Sequence, residues 1–348
     1  MRPASSPDRM TTSMGRRETS PTLAVVECDS LDVHVLLDNT TDLTSSSGSM
    51  VTSHLGNALR RRPRFGLTGT CLCCANWGLS LALDIQANGE TRRVMFDAGP
   101  DCESLRRNAR ILAYDLTQFD AVVLSHGHWD HAGGLTEPFT QQRRQSTAKV
   151  TEFHANHSMF VRRGMRTAPD RVVPFRSPPS PERLRGLGAK LIIEETARVL
   201  ADGYAYLSGE IPRLTEYEVG LPGHVAMRPK SSEWTDDPLI LDERWLAVKV
   251  RDKGVIVFSA CSHAGVVNVL RHARTVFPDI PLYAVMGGLH LSGQPNEQII
   301  DRTVEDLANF SLERIIPGHC TGWRAITALA QRFGDRVTPL SVGQTHRF

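Results

Sequence analysis

Residues 125–131 constrain the fold more than any other part of the chain, because they pack three histidines and an aspartate into seven positions. The apolar run of residues 121–124 precedes them and predicts a buried parallel strand. Residues 132–135 follow them and, with two glycines, predict a turn that opens a helix. Ligand-type side chains therefore lie where a buried strand ends, which is typical of a site in a layered α/β fold.

Four side chains in this segment have the chemistry of metal ligands. Side chains two residues apart at a strand end point the same way, so His126 and His128 are able to hold one ion together. Asp130 and His131 are adjacent on the turn that follows, within reach of a second ion beside the first. Neutral imidazoles with one hard carboxylate suit zinc, manganese or iron(II). The alternative is a polar loop that is rich in histidine by chance, and the density of ligands at a strand end argues against it.

The same pattern recurs along the chain: an apolar strand, a ligand-type residue at its carboxyl end, then glycine and a helix. Predicted strands 254–259, 282–286 and 314–316 lead to His263, His290 and His319. Layered α/β sheets place their sites at such carboxyl ends. The other predicted strands are 33–39, 79–85, 93–96, 119–125, 150–153, 190–193, 198–200, 204–208 and 245–250, and helices are predicted at 102–114, after Gly134, from Val266 and at 303–310.

Two further residues at strand ends have roles that the sequence leaves open. Asp97 ends the predicted strand 93–96, and it is either an anchor behind a metal ligand or a turn-forming aspartate. His154 ends the predicted strand 150–153. We favour a place for His154 in the substrate pocket, or behind a ligand, over a role as a metal ligand itself.

Composition excludes several classes of protein. The formal net charge of +2 gives no overall attraction to nucleic acid or to a membrane, and no apolar run approaches the ~20 residues of a membrane span. Seven cysteines without a secretory signal fit a reducing cytoplasm better than a disulfide framework. We therefore expect a cytoplasmic protein whose partner is a small, anionic molecule.

Two segments are expected to lie outside the regular fold. Residues 1–30 are rich in Ser, Thr, Pro and Arg and predict a disordered tail, so the domain is expected to span residues 31–348. Residues 162–189 form an insertion rich in Arg and Pro, and its prolines argue against a regular helix. The insertion is either a lid over an anionic substrate or a solvated basic loop.

The motif His126-X-His128-X-Asp130-His131 resembles that of the metallo-β-lactamase-fold metallohydrolases. Six further stretches resemble, as a set, the subgroup named for the synthesis of 7,8-dihydropterin-6-yl-methyl-4-(β-D-ribofuranosyl)aminobenzene 5'-phosphate. They are residues 37–39, 78–80, 208–213, 261–265, 287–290 and 318–322, so the resemblance spans about residues 33–325. The first motif is specific for the fold, and the others are specific for the subgroup only together.

The resemblance implies an α/β fold of the αββα sandwich type, in which two mixed β-sheets face each other, helices cover both outer faces and two divalent metal ions lie at one edge. By the family pattern, the first ion is held by His126, His128 and His263, and the second by Asp130, His131 and His319. Zinc is the expected metal, with manganese or iron as alternatives. Cys261 stands where the family has a bridging aspartate, so either its thiolate or a water alone bridges the ions. His290 is either a ligand or a substrate contact.

The resemblance also implies a function. We expect a hydrolase that uses water activated by two metal ions to cleave an ester, first of all a phosphoester, of a small anionic molecule. Asp130 is the expected catalytic carboxylate, which orients the attacking water. The alternatives are a transferase of the dihydropterin type and a non-catalytic module that binds a metal or a metabolite. Redox chemistry of the diiron type would need a carboxylate where His128 stands.

Overall fold

The computed structural model describes residues 23–46, 48–61, 66–145 and 149–348. Its strands in chain order are β1 (Glu27–Cys28), β2 (Ser30–Leu37), β3 (Val51–Thr52), β4 (Ser80–Ala87), β5 (Glu90–Phe96), β6 (Ala121–Val123), β7 (Glu152–Ala155), β8 (Arg162–Ala168), β9 (Arg171–Pro174), β10 (Lys190–Ile193), β11 (Arg198–Leu200), β12 (Ala205–Leu207), β13 (His224–Met227), β14 (Trp234–Asp236), β15 (Leu246–Val250), β16 (Gly254–Ser259), β17 (Leu282–Gly288), β18 (Arg314–Gly318) and β19 (Thr345–Arg347). Its α-helices are α1 (His54–Arg61), α2 (Cys102–Ile111), α3 (Trp129–Ala132), α4 (Thr136–Arg144), α5 (Pro181–Gly186), α6 (Val266–Val276), α7 (Ile300–Leu307) and α8 (Trp323–Phe333). None of the helices within these described ranges is both long enough and apolar enough to cross a membrane.

The first sheet has the strand order β10-β7-β6-β5-β4-β2-β19-β3. The strands from β5 through β6 and β7 to β10 pair in parallel, and the other pairs are antiparallel. β4 and β5 form a hairpin through Asn88 and Gly89, whose φ values are 52° and 78°. A tight two-residue turn needs two left-handed residues, and Asn-Gly tolerates them best. Because β5 and β6 are parallel, their carboxyl ends lie at the same edge of this sheet.

The second sheet has the strand order β11-β12-β15-β16-β17-β18, and β1 also pairs in parallel with β15. All residues of β16 are buried, as expected for a strand covered on both faces. β16, β17 and β18 pair in parallel. Their carboxyl ends lead to His263, His290 and His319, so these three histidines follow neighbouring strands at one edge.

A core of apolar side chains lies between the two sheets. Phe96 and Val123 of the first sheet belong to the same buried cluster as Phe258 and Met286 of the second. A second cluster packs α6, α7 and α8 against the second sheet, and a third packs α2 and α4 against the first. Burial of these apolar faces drives the layers together. The layer order is therefore αββα, as the sequence predicts.

The insertion is more regular than the sequence suggests. Residues 162–189 contain β8, β9 and α5, and a small antiparallel sheet has the order β14-β13-β8-β9. The prediction of an irregular loop is wrong in this respect, because Pro181 lies at the first position of α5, where a missing N–H costs nothing. Arg163 of β8 forms a buried ion pair with Asp242 (Nη2–Oδ1 2.5 Å, Nη1–Oδ2 2.9 Å). Asp242 also accepts the backbone N–H of Gly127 at 3.0 Å, which attaches the insertion to the histidine-rich segment.

The predicted tail of residues 1–30 extends too far along the chain. Residues 1–22 lie outside the described residues, but β1 pairs with Lys249 and Val250, and Cys28 is fully buried. β2 already begins at Ser30. The domain therefore starts before residue 31. Pairing with β15 gives the backbone of β1 hydrogen-bond partners, although the composition of this segment alone predicts disorder.

Candidate metal centre

The histidine-rich segment runs from the end of β6 into α3, and its four ligand-type side chains are buried. His128 has an extended backbone (φ −85°, ψ 152°) immediately before α3 begins. A Cβ on Gly127 would lie 2.6 Å from Nη1 of Arg163 and closer still to the carbonyl oxygen of Met159. Only glycine therefore lets this turn pack against the inserted sheet.

The first histidine group consists of His126, His128 and His263. Nε2 of His126 lies 3.2 Å from Nε2 of His263. The ring centroid of His128 lies 4.5 Å from that of His126 and 4.8 Å from that of His263. Because His126 and His128 follow β6 and His263 follows β16, this group joins the two sheets at their common edge.

The second histidine group consists of Asp130, His131 and His319. Nε2 of His131 lies 3.2 Å from Nε2 of His319. Oδ2 of Asp130 lies 3.4 Å from Nε2 of His319 and 3.9 Å from Nε2 of His131. The rings of His126 and His131 are 4.4 Å apart between centroids, so the two groups are adjacent.

Each histidine of the second group forms a hydrogen bond through Nδ1, on the side of the ring that faces away from the other histidine. This bond determines which ring nitrogen is bare, that is, carries a lone pair and no hydrogen. Nδ1 of His131 donates to Oδ2 of Asp97 at 2.6 Å. Nδ1 of His319 donates to Oδ1 of Asn39 at 3.0 Å, since the amide nitrogen of Asn39 is itself used to donate to the His319 carbonyl. In the neutral rings, Nε2 then carries a lone pair rather than a hydrogen. The two Nε2 atoms that face each other are therefore acceptors, the form that binds a metal ion.

The same reasoning applies to His126 in the first group. Oγ of Ser125 donates to Oδ2 of Asp97 at 2.7 Å, so it is an acceptor toward Nδ1 of His126 at 2.8 Å. Nε2 of His126 is therefore bare, and it faces Nε2 of His263. Asp97 thus supports both groups, one directly through His131 and one through Ser125.

His224 orients His128 from the inserted sheet. Nδ1 of His224 donates to the carbonyl oxygen of Asp237 at 2.7 Å, which leaves its Nε2 as an acceptor. Nε2 of His128 lies 3.1 Å from that atom and donates to it. Nδ1 of His128 is then the bare nitrogen of this ring. Hydrogen-bond partners of this kind, behind the ligands, set the tautomer and the ring orientation of metal-binding histidines.

The pKa values favour a site that holds positive charge. Burial lowers the pKa of His126, His128 and His263 well below the usual value, so these rings are neutral at pH 7. Burial acts in the opposite direction on Asp130, but the neighbouring His131 lowers its pKa to about 2. Burial also lowers the pKa of His131, yet Asp130 and Asp97 together raise it to about 9. The carboxylates thus attract a cation, or a proton in its place, to the second group.

Two buried sulfur atoms lie beside the histidine groups. Sγ of Cys261 is 3.0 Å from Sγ of Cys320 and 3.6 Å from Nδ1 of His290. Burial raises the pKa of Cys261 well above its usual value. Burial also acts to raise the pKa of Cys320, but the hydrogen bond from Cys261 and the proximity of His319 lower it. The two thiols therefore share their protons unequally, and one of them ionises readily.

The residues that are present fit divalent cations. Nε2 of His126 faces Nε2 of His263, and Nε2 of His131 faces Nε2 of His319, each pair 3.2 Å apart, so a cation that replaces the proton in either contact would meet two nitrogen donors. Within the described residues, buried Nδ1 of His263 and Nε2 of His290 also have no hydrogen-bond partner. A set of imidazole nitrogens, one carboxylate and nearby sulfur suits zinc, iron(II) or cobalt, and it does not suit magnesium or calcium.

The structure brings most of the predicted site residues together, and that they bind metal stays a prediction. His126, His128, Asp130, His131, His263 and His319 form the two groups, Asp97 lies behind them, and Cys261 and His290 adjoin them. His154 has different partners: its Nε2 is 3.1 Å from Glu152 and its Nδ1 accepts from Arg198 at 3.1 Å. These contacts give His154 a role in joining β7 to β11, and the structure shows no contact between it and either histidine group.

Sequence reasoning missed four residues that support the site. His224 lies on β13, and nothing in its surroundings along the chain marks it. Glu243 accepts the backbone N–H groups of His263, at 2.8 Å, and Ala264. Asn39 lies in the stretch 37–39 noted above, so the Asp-Asn pair at the end of β2 was a usable signal. Its neighbour Asp38 accepts the backbone N–H of His319 at 2.8 Å.

The chain is similar to one protein family, to two proteins of an archaeon and to a solved hydrolase structure. A family model described as the metallo-beta-lactamase superfamily matches residues 78–319, which include both histidine groups. The 7,8-dihydropterin-6-methyl-4-(beta-D-ribofuranosyl)-aminobenzene-5'-phosphate synthase of Methanocaldococcus jannaschii is 26% identical over 272 residues, 78% of this chain and 90% of that protein. An uncharacterized protein of the same organism is 28% identical over 257 residues, 74% of this chain and 88% of that protein. The crystal structure of a metal-dependent hydrolase of the beta-lactamase superfamily has a TM-score of 0.64 at 21% identity, covering 90% of this chain and 98% of the solved one.

Proposed function

The chain belongs to the metallo-beta-lactamase superfamily, and from that premise we propose that it is a metal-dependent hydrolase that cleaves a phosphoester of a small aromatic molecule. One observation carries the proposal. Ring nitrogens of His126 and His263, and of His131 and His319, face each other in two adjacent pairs, with the Asp130 carboxylate beside the second. Such a donor set supports binding of two divalent cations, of which zinc is the best match.

The chain's own residues divide between the two cations. His126, His128 and His263 would hold one, and Asp130, His131 and His319 would hold the other. When bound, such a pair supplies Lewis acidity, which polarises a phosphoryl oxygen and lowers the pKa of water toward neutrality. Asp97, Asn39 and His224 fix the tautomers of the ligating rings, so the donors are oriented before substrate arrives.

Asp130 is the residue that we assign to the attacking water. Burial would raise its pKa, but His131 and His319 lower it to about 2, so it is a carboxylate throughout the neutral range. It accepts a hydrogen bond from water and thereby aims the water oxygen at phosphorus. With so low a pKa it does not keep a proton, and its contribution is orientation rather than proton storage.

Aromatic rings at the rim support a substrate with an aromatic part. Trp77 is 48% exposed, and its ring lies 5.4 Å from that of His319. On the other side, the ring of Phe175 lies 5.4 Å from that of His128. Each histidine group therefore has one aromatic neighbour against which a planar ring can stack.

A cavity that Gly133 lines, two residues after His131, offers a place for an anionic group on the substrate. Its volume is about 590 Å³, and it lies between the start of α2 and the segment that precedes α5. Arg176, next in sequence to Phe175, and Arg183 line it, and neither guanidinium forms an ion pair among the described residues. Asp101 and Glu103 line it as well, so a phosphate would enter on the arginine side.

The proposal is tested by turnover after metal reconstitution. Purified protein is stripped of metal, loaded with zinc or manganese and screened against aryl phosphomonoesters, phosphodiesters and lactones. We expect phosphoester hydrolysis that depends on metal, and a loss of roughly 10²–10⁴-fold in kcat for Asp130→Asn. Asp170→Asn, at an exposed position, is the matched control and should keep full activity. A fully loaded protein that hydrolyses none of these compounds would contradict the proposal.

Transfer to a pterin is the second candidate, because the synthase from M. jannaschii aligns over 90% of its length with this chain. In that case the protein would join a dihydropterin to a ribofuranosylaminobenzene phosphate. Mass spectrometry of a reaction with both compounds separates the two candidates. A product that contains both parts supports transfer, whereas release of inorganic phosphate from simple esters supports hydrolysis.

A further inference from the structure

A single sulfur atom lies at the junction of the two histidine groups. Sγ of Cys261, one nitrogen of His126 and one of His263 lie within 4.8 Å of one another. The same sulfur, one nitrogen of His131 and one of His319 also lie within 4.8 Å of one another. Within the described residues, none of the candidate ligand sets around Cys261 includes a carboxylate. The position shared by the two groups is therefore occupied by sulfur.

A second thiol is held against this sulfur. Sγ of Cys320 lies 3.0 Å from Sγ of Cys261 and 3.3 Å from the Cys261 carbonyl oxygen. The hydrogen of the Cys320 thiol can be donated to the Cys261 carbonyl oxygen, and either thiol can be the donor in the contact between the two sulfurs. A Cβ at Gly288 would lie 2.7 Å from Sγ of Cys320, so a glycine there leaves room for this contact. Cys320 is able to donate to Cys261 whether Cys261 is a thiol or a thiolate.

His290 completes the surroundings of Cys261. Its Nδ1 lies 3.6 Å from Sγ of Cys261, and its ring lies 4.3 Å from that of His263. Its other ring nitrogen, Nε2, is buried and has no hydrogen-bond partner among the residues that the structure describes. His290 follows β17, between the strands that lead to His263 and to His319. The middle strand of the three therefore brings a nitrogen to the sulfur.

We propose that, once a cation has displaced its proton, the Cys261 thiolate is the ligand shared by the two histidine groups, with the Cys320 thiol donating a hydrogen bond to it. This proposal rests on the metal centre of the proposed function and specifies it. Binding of a cation displaces the thiol proton of Cys261, which passes to solvent, and no oxidation takes place. A thiolate is a soft ligand, so the centre selects zinc, cobalt or cadmium over manganese.

Spectroscopy tests the proposal without reference to turnover. Full-length protein is stripped of metal under reducing conditions and loaded with cobalt(II), and its absorption spectrum is recorded. We expect a sulfur-to-cobalt charge-transfer band that Cys261→Ser abolishes, while the weaker ligand-field bands remain. Cys320→Ala should keep the band and shift its energy, because it removes a hydrogen bond to the sulfur and no ligand. Cys28→Ser, at a buried cysteine of β1, is the matched control and should leave the spectrum unchanged.

X-ray absorption of the zinc-loaded wild type gives a result that does not depend on the folding of any variant. We expect a sulfur scatterer at about 2.3 Å from zinc. A zinc shell of nitrogen and oxygen only, a charge-transfer band that survives Cys261→Ser, or a Cys261–Cys320 disulfide in the zinc-loaded protein would overturn the proposal. Phosphoester hydrolysis without metal–sulfur bonding would defeat this proposal alone, whereas metal–sulfur bonding without hydrolysis would defeat only the proposed reaction.

Discussion

At the scale of single residues, a hydrogen bond at one nitrogen of a histidine decides what its other nitrogen can do. Asp97, Ser125, Asn39 and His224 each occupy the far side of a ring, and together they leave bare nitrogens facing the centre. Because imidazole tautomers differ little in energy in water, these partners select among them. The ligand chemistry of the site therefore depends on residues that would never touch a metal.

Replacement of Asp97 should weaken metal binding at both groups. Asp97→Ala removes the acceptor of His131 Nδ1 and the acceptor that orients Ser125 toward His126. We expect metal affinity to fall roughly 10–100-fold, measured by competition with a chromogenic chelator. Asp32→Ala, which removes a surface ion pair with Arg347, is the control and should bind metal normally. Unchanged affinity in Asp97→Ala would show that the tautomers are set in another way.

Replacement of His224 should affect the first group selectively. His224→Leu removes the acceptor for Nε2 of His128, so the ring of His128 loses both its orientation and its preference for a bare Nδ1. One of two cations should then be bound roughly 10–100-fold more weakly, which metal analysis after graded dialysis detects. His224→Gln keeps an acceptor and should recover part of the affinity. Equal loss of both cations would contradict this assignment.

At the scale of elements, the inserted sheet is attached to the centre through one buried ion pair. Arg163 and Asp242 are both almost fully buried, and Asp242 also holds the backbone of Gly127 between His126 and His128. The inserted sheet therefore places both His224 and Arg163 on the same side of the centre. The sequence leaves open whether this insertion is a lid or a solvated loop. In the structure it supports the site.

Breaking this ion pair should be costly for the whole domain. Arg163→Met leaves the Asp242 carboxylate buried and unpaired, and such a change typically costs about 3–5 kcal/mol of unfolding free energy. Denaturant titration of the zinc-free protein measures this cost. The double variant Arg163→Met, Asp242→Asn should recover part of it, because no uncompensated charge remains. A loss below about 1 kcal/mol for the single variant, the range of exposed pairs, would mean that the pair is effectively solvated.

The strand β19 gives the fold a predictable pH dependence. Burial lowers the pKa of His346 from 6.5 to about 4. Between these values the unfolded chain binds a proton that the folded chain does not, so stability falls as the pH drops through this window. The difference between the two pKa values corresponds to a loss of up to about 3 kcal/mol of unfolding free energy.

A comparison of wild type with His346→Gln tests this dependence. Urea unfolding at pH 7, 5 and 4 should show a stability advantage of the wild type that shrinks as the pH falls. His157→Gln, at an exposed position, should run parallel to the wild type throughout. Parallel curves for His346→Gln and wild type would show that His346 titrates normally in the fold.

At the scale of the whole molecule, the centre joins the two sheets. His126, His128 and His131 come from the first sheet, whereas His263 and His319 come from the second. A cation that binds donors from both sheets stabilises the folded state only, since the unfolded chain keeps these donors far apart. A metal bound as proposed would therefore link the two layers as well as supply reaction chemistry.

Metal removal should lower thermal stability measurably. At a metal concentration of about 1,000 times Kd, one bound ion contributes about 4 kcal/mol, so chelation should lower Tm by several degrees or more. Calorimetry of protein with zinc and with chelator measures the shift. The variant His263→Ala, His319→Ala lacks one donor from each group and should show little metal dependence. Identical Tm values with and without zinc in the wild type would contradict the link.

The sequence by itself determined the main strands and the ligand-type residues at their ends, because both depend on local patterns, whereas the sandwich followed from the family resemblance of the motif. Strands 79–85, 245–250 and 254–259 are visible as apolar runs, and each ends near the boundary that the structure shows. Polar residues such as His263 and His319 stand directly after such runs, and parallel strands bring their carboxyl ends to one edge. The residues to test were therefore readable from their places at strand ends together with the family resemblance.

Only the tertiary structure decided which residues support the ligands. His224 is 96 positions from His128 along the chain, and their contact depends on the packing of an inserted sheet. β1 is ordered by pairing with β15, although its sequence is that of a tail. The proximity of Cys261 and Cys320 likewise follows from neighbouring strand ends rather than from any spacing. Contacts of this kind depend on long-range packing, and local periodicity carries no information about them.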